Sequence, residues 1–399
     1  MQEVIEPLSM AARRVAEVAS KLRVDMEHER RLSPDVVKAV AEAGFMRHFV
    51  PTAFGGHAGT FGELLSAITV IGEECAASAW CTSLFASSPR FVSFFPPAAQ
   101  REIWAEGPDA VVVPSVIPFG EAVAEGDGLV VSGRWPYMSG IEFADWVIVC
   151  PKVFRNGEYE LKLAAIPRSQ FRVEDTWFSV GMQATGSNTV VIEDVLVPAH
   201  RIGERTAVFA GRPGDAFSEP PVAGLAPLSA INGLTFVAPA LGAARGALAL
   251  LSAYLGKKVR DAPSLPGVPG AAGNLATYES VLARSSAEID SVQLLLERIA
   301  DLADSDGEIT PVDIARNARD SAFAIDVLVT TMNRMFRTAG TGGQGAGGSL
   351  QQHWRDINSM ATHQALQFEP TARNYARTLF GAGPALTTTR QPEIQRSTE

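Results

Sequence analysis

The usual catalytic signatures are missing from this chain, so histidine, serine, tryptophan and glycine are left as the residues that could do chemistry. H-E-x-x-H, G-x-S-x-G and C-x-x-C do not occur, which removes the marks of zinc hydrolysis, esterase chemistry and thiol redox work. No metal site is expected. The histidines are His28, His48, His57, His200, His353 and His363. On a helix drawn from Leu350 to Phe380, His363 falls away from the stripe of Ile357, Ala361, Ala365, Phe368, Ala372 and Tyr375, beside Asp356, Ser359 and Gln367. It reads either as a solvent-facing residue or as a functional one. Gly340-Thr-Gly342-Gly-Gln-Gly345 matches G-x-G-x-x-G but lies between two helical segments, so the strand–loop–helix unit of a dinucleotide fold is absent. Two readings stay open for it: a flexible interhelical loop, or a loop whose free N–H groups meet a phosphate. It also lacks the Lys-Ser/Thr of a P-loop, so nucleotide hydrolysis has no support.

These residues need a scaffold, and the stretch from Leu129 to Arg201 organises it. Val130–Val131, Val147 to Val149 and Val190 to Ile192 are β-branched runs bounded by Gly, Pro, Asn and Asp, the pattern of strands. Ser139–Gly140 and Gly186–Ser187 fall at strand ends, where exposed backbone N–H groups suit a flat cofactor.

The flanks read helical. Leu8, Ala11, Ala12, Val15, Val18, Ala19 and Leu22 form an amphipathic stripe. Ser33, Pro34 and Gly44 punctuate a second helix, and Thr60-x-x-Glu63 is a capping box ahead of a third. Pro89 should break the apolar run Ser78 to Phe95, and Pro96–Pro97 should start a short helix ending near Gly107. Later helices are expected at Asn232–Gly256, Leu275–Ala303, Pro311–Arg337 and Leu350–Phe380, with a linker over Gly211 to Leu228 and a Pro/Gly loop over Ala262–Gly273. The architecture is α+β: a helical domain at 1–109, a β domain at 110–215 and a four-helix bundle at 216–399.

Composition sets the class. With 34 basic and 44 acidic residues the net charge is −10, which argues against a nucleic-acid partner. The N-terminus has no basic segment followed by an apolar core, and no run approaches the ~18 apolar residues of a membrane span. Cys75, Cys81 and Cys150 fit neither a disulfide framework nor a metal knuckle, so a soluble cytoplasmic protein with no membrane partner is expected.

Four segments carry a family resemblance: Ala79–Trp80 with FFPPAAQREIW, SGRWPYMSG followed by ADW, VGMQATGSNTVVIEDVLVPAHR, and WRDINSMATHQAL. In this α–β–α order they resemble the acyl-CoA dehydrogenase fold, and in detail the two-component (group D) flavin-dependent monooxygenases built on it. The resemblance runs from about Leu32 to Phe380. It implies a separate NAD(P)H:flavin reductase, reduced FAD or FMN as cofactor, and O₂ added at the flavin C4a carbon before one oxygen atom passes to substrate. It further implies a homo-oligomer, typically a tetramer.

Carried over residue by residue, the resemblance runs Trp135 to Gly140 along the flavin, with Ser139 near its N5 edge and Ser115 at the other rim. Gly186 and Ser187 would approach the ring or ribityl chain. Gly342 and Gly343 would contact the pyrophosphate, including that of a neighbouring subunit's flavin. Trp80 would wall the substrate side, and His363 would sit near the C4a oxygen as a donor. Phenol-hydroxylating relatives often have a histidine where this chain has Ser88, and an Asp-His pair where it has Glu142–Phe143. Both departures point to an indole-like or polycyclic aromatic, or else an amine nitrogen, as the atom oxygenated. Phe85, Phe91, Phe94, Phe95 and Phe143 would line a large apolar pocket. Three other readings remain. One is an N-hydroxylase of an amine or amino sugar, and another is a catalytically silent scaffold. The third, an acyl-CoA dehydrogenase, needs a carboxylate base, and neither Asn232–Gly256 nor RTLFGAGPALTTTR contains an acid.

Overall fold

The computed structural model describes residues 7–155, 157–212, 226–261 and 274–381. The expected linker at 213–225, the Pro/Gly loop at 262–273 and the last part of RTLFGAGPALTTTR lie outside the described residues. Capping residues set the early helices. α1 (Leu8–Glu29) buries its stripe of Leu8, Ala11, Ala12, Val15 and Ala19. α2 (Pro34–Glu42) starts where Ser33 accepts the Asp35 N–H, and Gly44 takes φ +83° just past its end. α3 (Phe61–Glu74) opens on the Thr60/Glu63 capping box, and its Phe61 and Gly62 N–H groups both donate to Asp304. Pro89 divides α4 (Ala76–Ser87) from α5 (Pro89–Val92), and α6 (Pro97–Ile103) follows.

Seven strands form one sheet: β1 (Val112–Glu125), β2 (Gly128–Met138), β3 (Trp146–Arg155), β4 (Glu158–Pro167), β5 (Arg172–Glu174), β6 (Asn188–Val197) and β7 (Ile202–Glu204). Their order is β5-β6-β2-β1-β3-β4-β7, and every pairing is antiparallel except β1 with β3. Val112 to Ser115 pair with β3, and the register of β1 on β3 shifts between Ser115 and Gly120.

Beyond the sheet, α7 (Arg205–Ala210) precedes α8 (Leu228–Arg260), α9 (Leu275–Asp304) and α10 (Pro311–Ala339). α8 meets α3 almost backbone to backbone. A Cβ at Gly246 would lie 2.0 Å from the Glu73 carbonyl oxygen, and one at Gly242 would lie 2.3 Å from that of Thr69, so only glycine fits either place. α8 also corrects the expectation that no segment is apolar enough to span a membrane. By length and composition it is, yet 78% of its apolar window is buried within the fold, as befits a core helix.

The expected helix Leu350–Phe380 is two helices, α11 (Ser349–Met360) and α12 (Phe368–Leu379). Pro370 is the reason. Its ring would clash with the residue 366 carbonyl in a continuous helix, so it is tolerated only in the first turn of a new one. Residues 361–367 therefore leave the helix, and His363 with them.

Candidate active site

A cavity of about 740 Å³ opens between the start of β1, the end of β2, the loop before β6, and helices α4, α5 and α8. Trp80, Ser115, Ser139, Ser187 and His363 all line it. Trp135, Gly186, Gly342 and Gly343 do not.

On the sheet side the wall is a chain of hydrogen bonds. The Trp80 indole Nε1–H donates to Ser139 Oγ at 3.1 Å, Ser139 and Ser187 are 2.8 Å apart, Ser187 and Thr185 are 2.6 Å apart, and Thr185 Oγ1 donates to the Met182 carbonyl at 2.9 Å. Only one arrangement of protons satisfies all four bonds. Indole can only donate and the carbonyl can only accept, so Ser139 donates to Ser187 and Ser187 to Thr185. Each hydroxyl proton is engaged, and Ser139, which lines the cavity, keeps one lone pair unused. The loop is pinned from behind, because the Met182 N–H donates to Asp356 of α11 at 2.5 Å. Burial pushes the Asp356 carboxyl up to about 7.

The facing wall is aromatic. Phe236 of α8 stacks on Trp80 at 5.0 Å, and the His363 ring lies 4.1 Å from Phe236 and 5.9 Å from Trp80. The reading of His363 as a residue on a solvated helix face is thereby corrected: the break before Pro370 turns it inward. Burial pushes its pKa down to about 4, so the imidazole is neutral at pH 7. Nδ1 accepts the Ala365 N–H at 3.2 Å, which assigns the proton to Nε2. His363 thus holds a neutral N–H donor beside the two aromatic rings.

Strand alternation turns the Trp135 side chain into the core, wholly buried, with its Nε1 lacking a partner among the described residues. Gly186 has φ +54°, but the close approach it permits is to the Arg30 carbonyl, 3.3 Å from where a Cβ would stand. Gly342 and Gly343 lie in a single turn (Gly340–Gln344) outside the cavity, where Cβ atoms would meet Tyr254 and Ala339. Of the five phenylalanines expected in the pocket, Phe85 and Phe91 line it, whereas Phe94, Phe95 and Phe143 do not. Ser88 lines it too, with its hydroxyl turned back to the Leu84 carbonyl.

Sequence reasoning missed Arg90, Phe236 and Trp177, all in the cavity wall, where Trp177 meets Tyr137 edge-on. Tyr137 holds φ +64°, an unfavourable backbone for a bulky residue. No Asp or Glu lines the cavity among the described residues, so the carbon-acid base of a dehydrogenase is missing there.

Comparison with known proteins agrees with this geometry. Residues 234–368 match the family described as acyl-CoA dehydrogenase, C-terminal domain. The chain is 30% identical over 366 residues to the oxygenase subunit HsaA of a flavin-dependent monooxygenase from Rhodococcus jostii (strain RHA1), covering 90% of this chain and 94% of that protein. It is 27% identical to the oxygenase component of an FADH(2)-dependent resorcinol hydroxylase from Rhizobium sp. (strain MTP-10005), covering 93% of this chain and 94% of the other. The crystal structure of 3-HSA hydroxylase from Rhodococcus sp. RHA1 superposes with a TM-score of 0.88 at 27% identity, over 94% of this chain and 97% of that one.

Proposed function

This chain belongs to the two-component flavin-dependent monooxygenases with the acyl-CoA dehydrogenase fold, and from that premise we propose that it hydroxylates an indole-like or polycyclic aromatic in the cavity described above. It is the oxygenase component, and it uses O₂ and reduced flavin supplied by a separate reductase. The observation that carries the substrate reading is the cavity wall: an apolar, aromatic lining with no carboxylate among the described residues and with the neutral donor His363 at one end.

The hydroxyl wall fits a reduced flavin. Reduction places additional N–H groups on the isoalloxazine ring, and Ser139, its own proton engaged with Ser187, can accept from one of them. When bound, reduced flavin supplies the electrons with which O₂ is split, one atom going to substrate and the other to water. Ser139 and Ser187 hold the cofactor edge, Ser115 meets the opposite rim from β1, and the stacked rings of Trp80 and Phe236 confine the substrate. His363 keeps a proton at Nε2 for delivery to a developing oxygen anion, and the lining keeps water from competing with that transfer. We place the phosphates of FAD, or alternatively FMN, near Gly342 and Gly343, on a surface that a neighbouring subunit of a tetramer would complete. Buried, unpaired Cys75, Cys81 and Cys150 accord with a reducing cytoplasm.

Reconstitution tests this reading. The purified chain should oxidise no NAD(P)H alone, because no strand–glycine loop–helix nicotinamide site occurs among the described residues, and should gain aromatic hydroxylation when a flavin reductase is added. NADPH consumption coupled to product without reductase would overturn it.

A further inference from the structure

Two neighbouring residues of α11 hold the loop on which the hydroxyl chain ends. Arg355 donates from Nη1 to the Val180 carbonyl at 2.8 Å, and Asp356 accepts the Met182 N–H at 2.5 Å. Between these bonds Gly181 lies so close to the helix that a Cβ would stand 2.4 Å from the Arg355 carbonyl oxygen. Met182 leaves this grip with φ +57°, a left-handed backbone that a residue with a side chain disfavours and that its surroundings must impose. In that conformation its carbonyl collects three donors: the Trp177 indole N–H at 3.0 Å, the Thr185 N–H at 3.1 Å and Thr185 Oγ1 at 2.9 Å. The last of them closes the chain that starts at Trp80 and runs through Ser139 and Ser187.

Asp356 stands behind this wall, at 3% exposure, and is not part of the cavity lining. The charges that reach it are Arg355 on its own helix and Glu27 on α1, which are paired with each other, and its own charge reaches the Cys75 thiol ahead of α4. A carboxyl raised by burial from 3.8 to about 7 binds its proton more readily in the folded chain than in the unfolded one. Its ionisation therefore costs folding free energy as pH rises above 3.8, and the cost is complete above about 7. A neutral acceptor of the same shape would brace the loop without that cost. What the charge adds is strength in one bond, since a hydrogen bond to an ionised acceptor is about twice as strong as a neutral one.

We propose that Asp356 is a positioning residue for the cofactor: through the Met182 N–H its carboxylate holds Met182 in the left-handed conformation, and so aims the carbonyl on which Thr185, Ser187 and Ser139 are aligned. This rests on the oxygenase reading above and adds a dependence on pH. Reduced flavin is held more tightly by the ionised form of Asp356 than by the protonated one, so the hydroxyl wall tightens as pH rises through neutrality.

Anaerobic titration of wild type and Asp356→Asn with reduced FAD, from about pH 5.5 to about pH 8.5, tests it. Reduced flavin itself ionises in this range, so the quantity to read is the ratio of the two dissociation constants at each pH. Asn keeps the acceptor and the shape but not the charge. At the alkaline end it should bind reduced FAD about 5- to 10-fold more weakly than wild type, the difference between a charged and a neutral hydrogen bond. At the acid end, where Asp356 is protonated, the ratio should approach one. The variant should also melt no lower than wild type at the alkaline end, because it is spared the buried charge. A ratio of one throughout overturns the assignment. So does a variant that melts lower and binds more weakly by the same factor at every pH, since Asp356 would then merely pack. Should Asp356→Asn fail to fold, Thr185→Val decides: it cuts the wall from the Met182 carbonyl, so its deficit should be largest at the alkaline end, and a deficit constant in pH overturns the proposal. A wild type that binds no reduced FAD at any pH sinks the oxygenase reading and this proposal with it.

Discussion

The two walls of the cavity differ in what their protons are doing. On the sheet side, Trp80, Ser139, Ser187 and Thr185 pass donation in one direction to the Met182 carbonyl, and no hydroxyl proton is left over. On the helical side, neither His363 Nε2–H nor Arg90 Nε has a partner among the described residues. One wall is satisfied in itself and offers lone pairs; the other holds donors in reserve. A satisfied network is rigid and suits a cofactor that must be held in one pose. Spare donors cost stability in the empty protein and repay it only when an anion or a developing negative charge arrives.

The strongest test of that contrast is His363→Ala. If the helical wall delivers the proton, product formation should drop by ~100- to 10,000-fold, the usual cost of losing a general acid. Reduced flavin should still bind and be oxidised, with hydrogen peroxide released in place of hydroxylated product, measured as peroxide per NADH consumed. Normal coupling would remove His363 from the mechanism and with it the division of labour between the walls. The same residue affects stability. Its folded pKa of about 4 lies below the ordinary 6.5, so the unfolded chain binds the proton first. The stabilisation is complete above pH 6.5 and is lost as pH falls from there toward 4.

Much of this was legible from local chemistry. Ser33, Thr60 and Pro89 acted where their types said they would, because caps and proline breaks depend on residues one turn away. Ser115, Ser139, Ser187, Trp80 and His363 converge on one cavity. The route to His363 was wrong in detail: the wheel ran straight past Pro370, whose ring ends any helix that contains residue 366. Trp135 was misplaced because nothing in its own neighbourhood says which side of β2 faces the core. Gly186 has the positive φ that glycine permits, but the neighbour that approaches it is Arg30, far away in sequence. Arg90 did leave a signal, a lone arginine inside the apolar run SSPRFVSFF, though only the fold reveals that its Nε has no partner among the described residues.

Ser139→Ala should have a smaller effect than loss of the histidine. It removes the acceptor offered to the cofactor and leaves the Trp80 N–H without a partner, and a hydrogen bond of this kind contributes about 0.5–1.5 kcal/mol. Reduced-flavin affinity should fall by about 2- to 12-fold in an anaerobic titration, while the ratio of peroxide to product should hardly move. Strong uncoupling with unchanged affinity would mean that the sheet wall, too, acts in oxygen transfer, and the contrast between the walls would be lost.

The smallest effect is expected from Thr185→Val, and it probes the direction of the hydroxyl chain rather than its existence. Val keeps the volume of Thr and removes only the hydroxyl that accepts from Ser187 and donates to Met182. Without that sink Ser187 is free to turn its proton back to Ser139, which can then donate its own toward the cavity. A wall that had presented only a lone pair would now present an O–H. Reduced flavin, which brings N–H groups, should lose affinity, whereas oxidised flavin, which brings lone pairs there, should gain it. Each change is bounded by one hydrogen bond, about 0.5–1.5 kcal/mol, so each dissociation constant should shift by at most about 12-fold, the two in opposite directions, and their ratio by the product of the two shifts toward oxidised flavin. Parallel titrations with reduced and oxidised FAD measure that ratio directly. If both affinities fall together, the chain merely braces the loop, and its proton direction has no part in choosing the redox state of the cofactor.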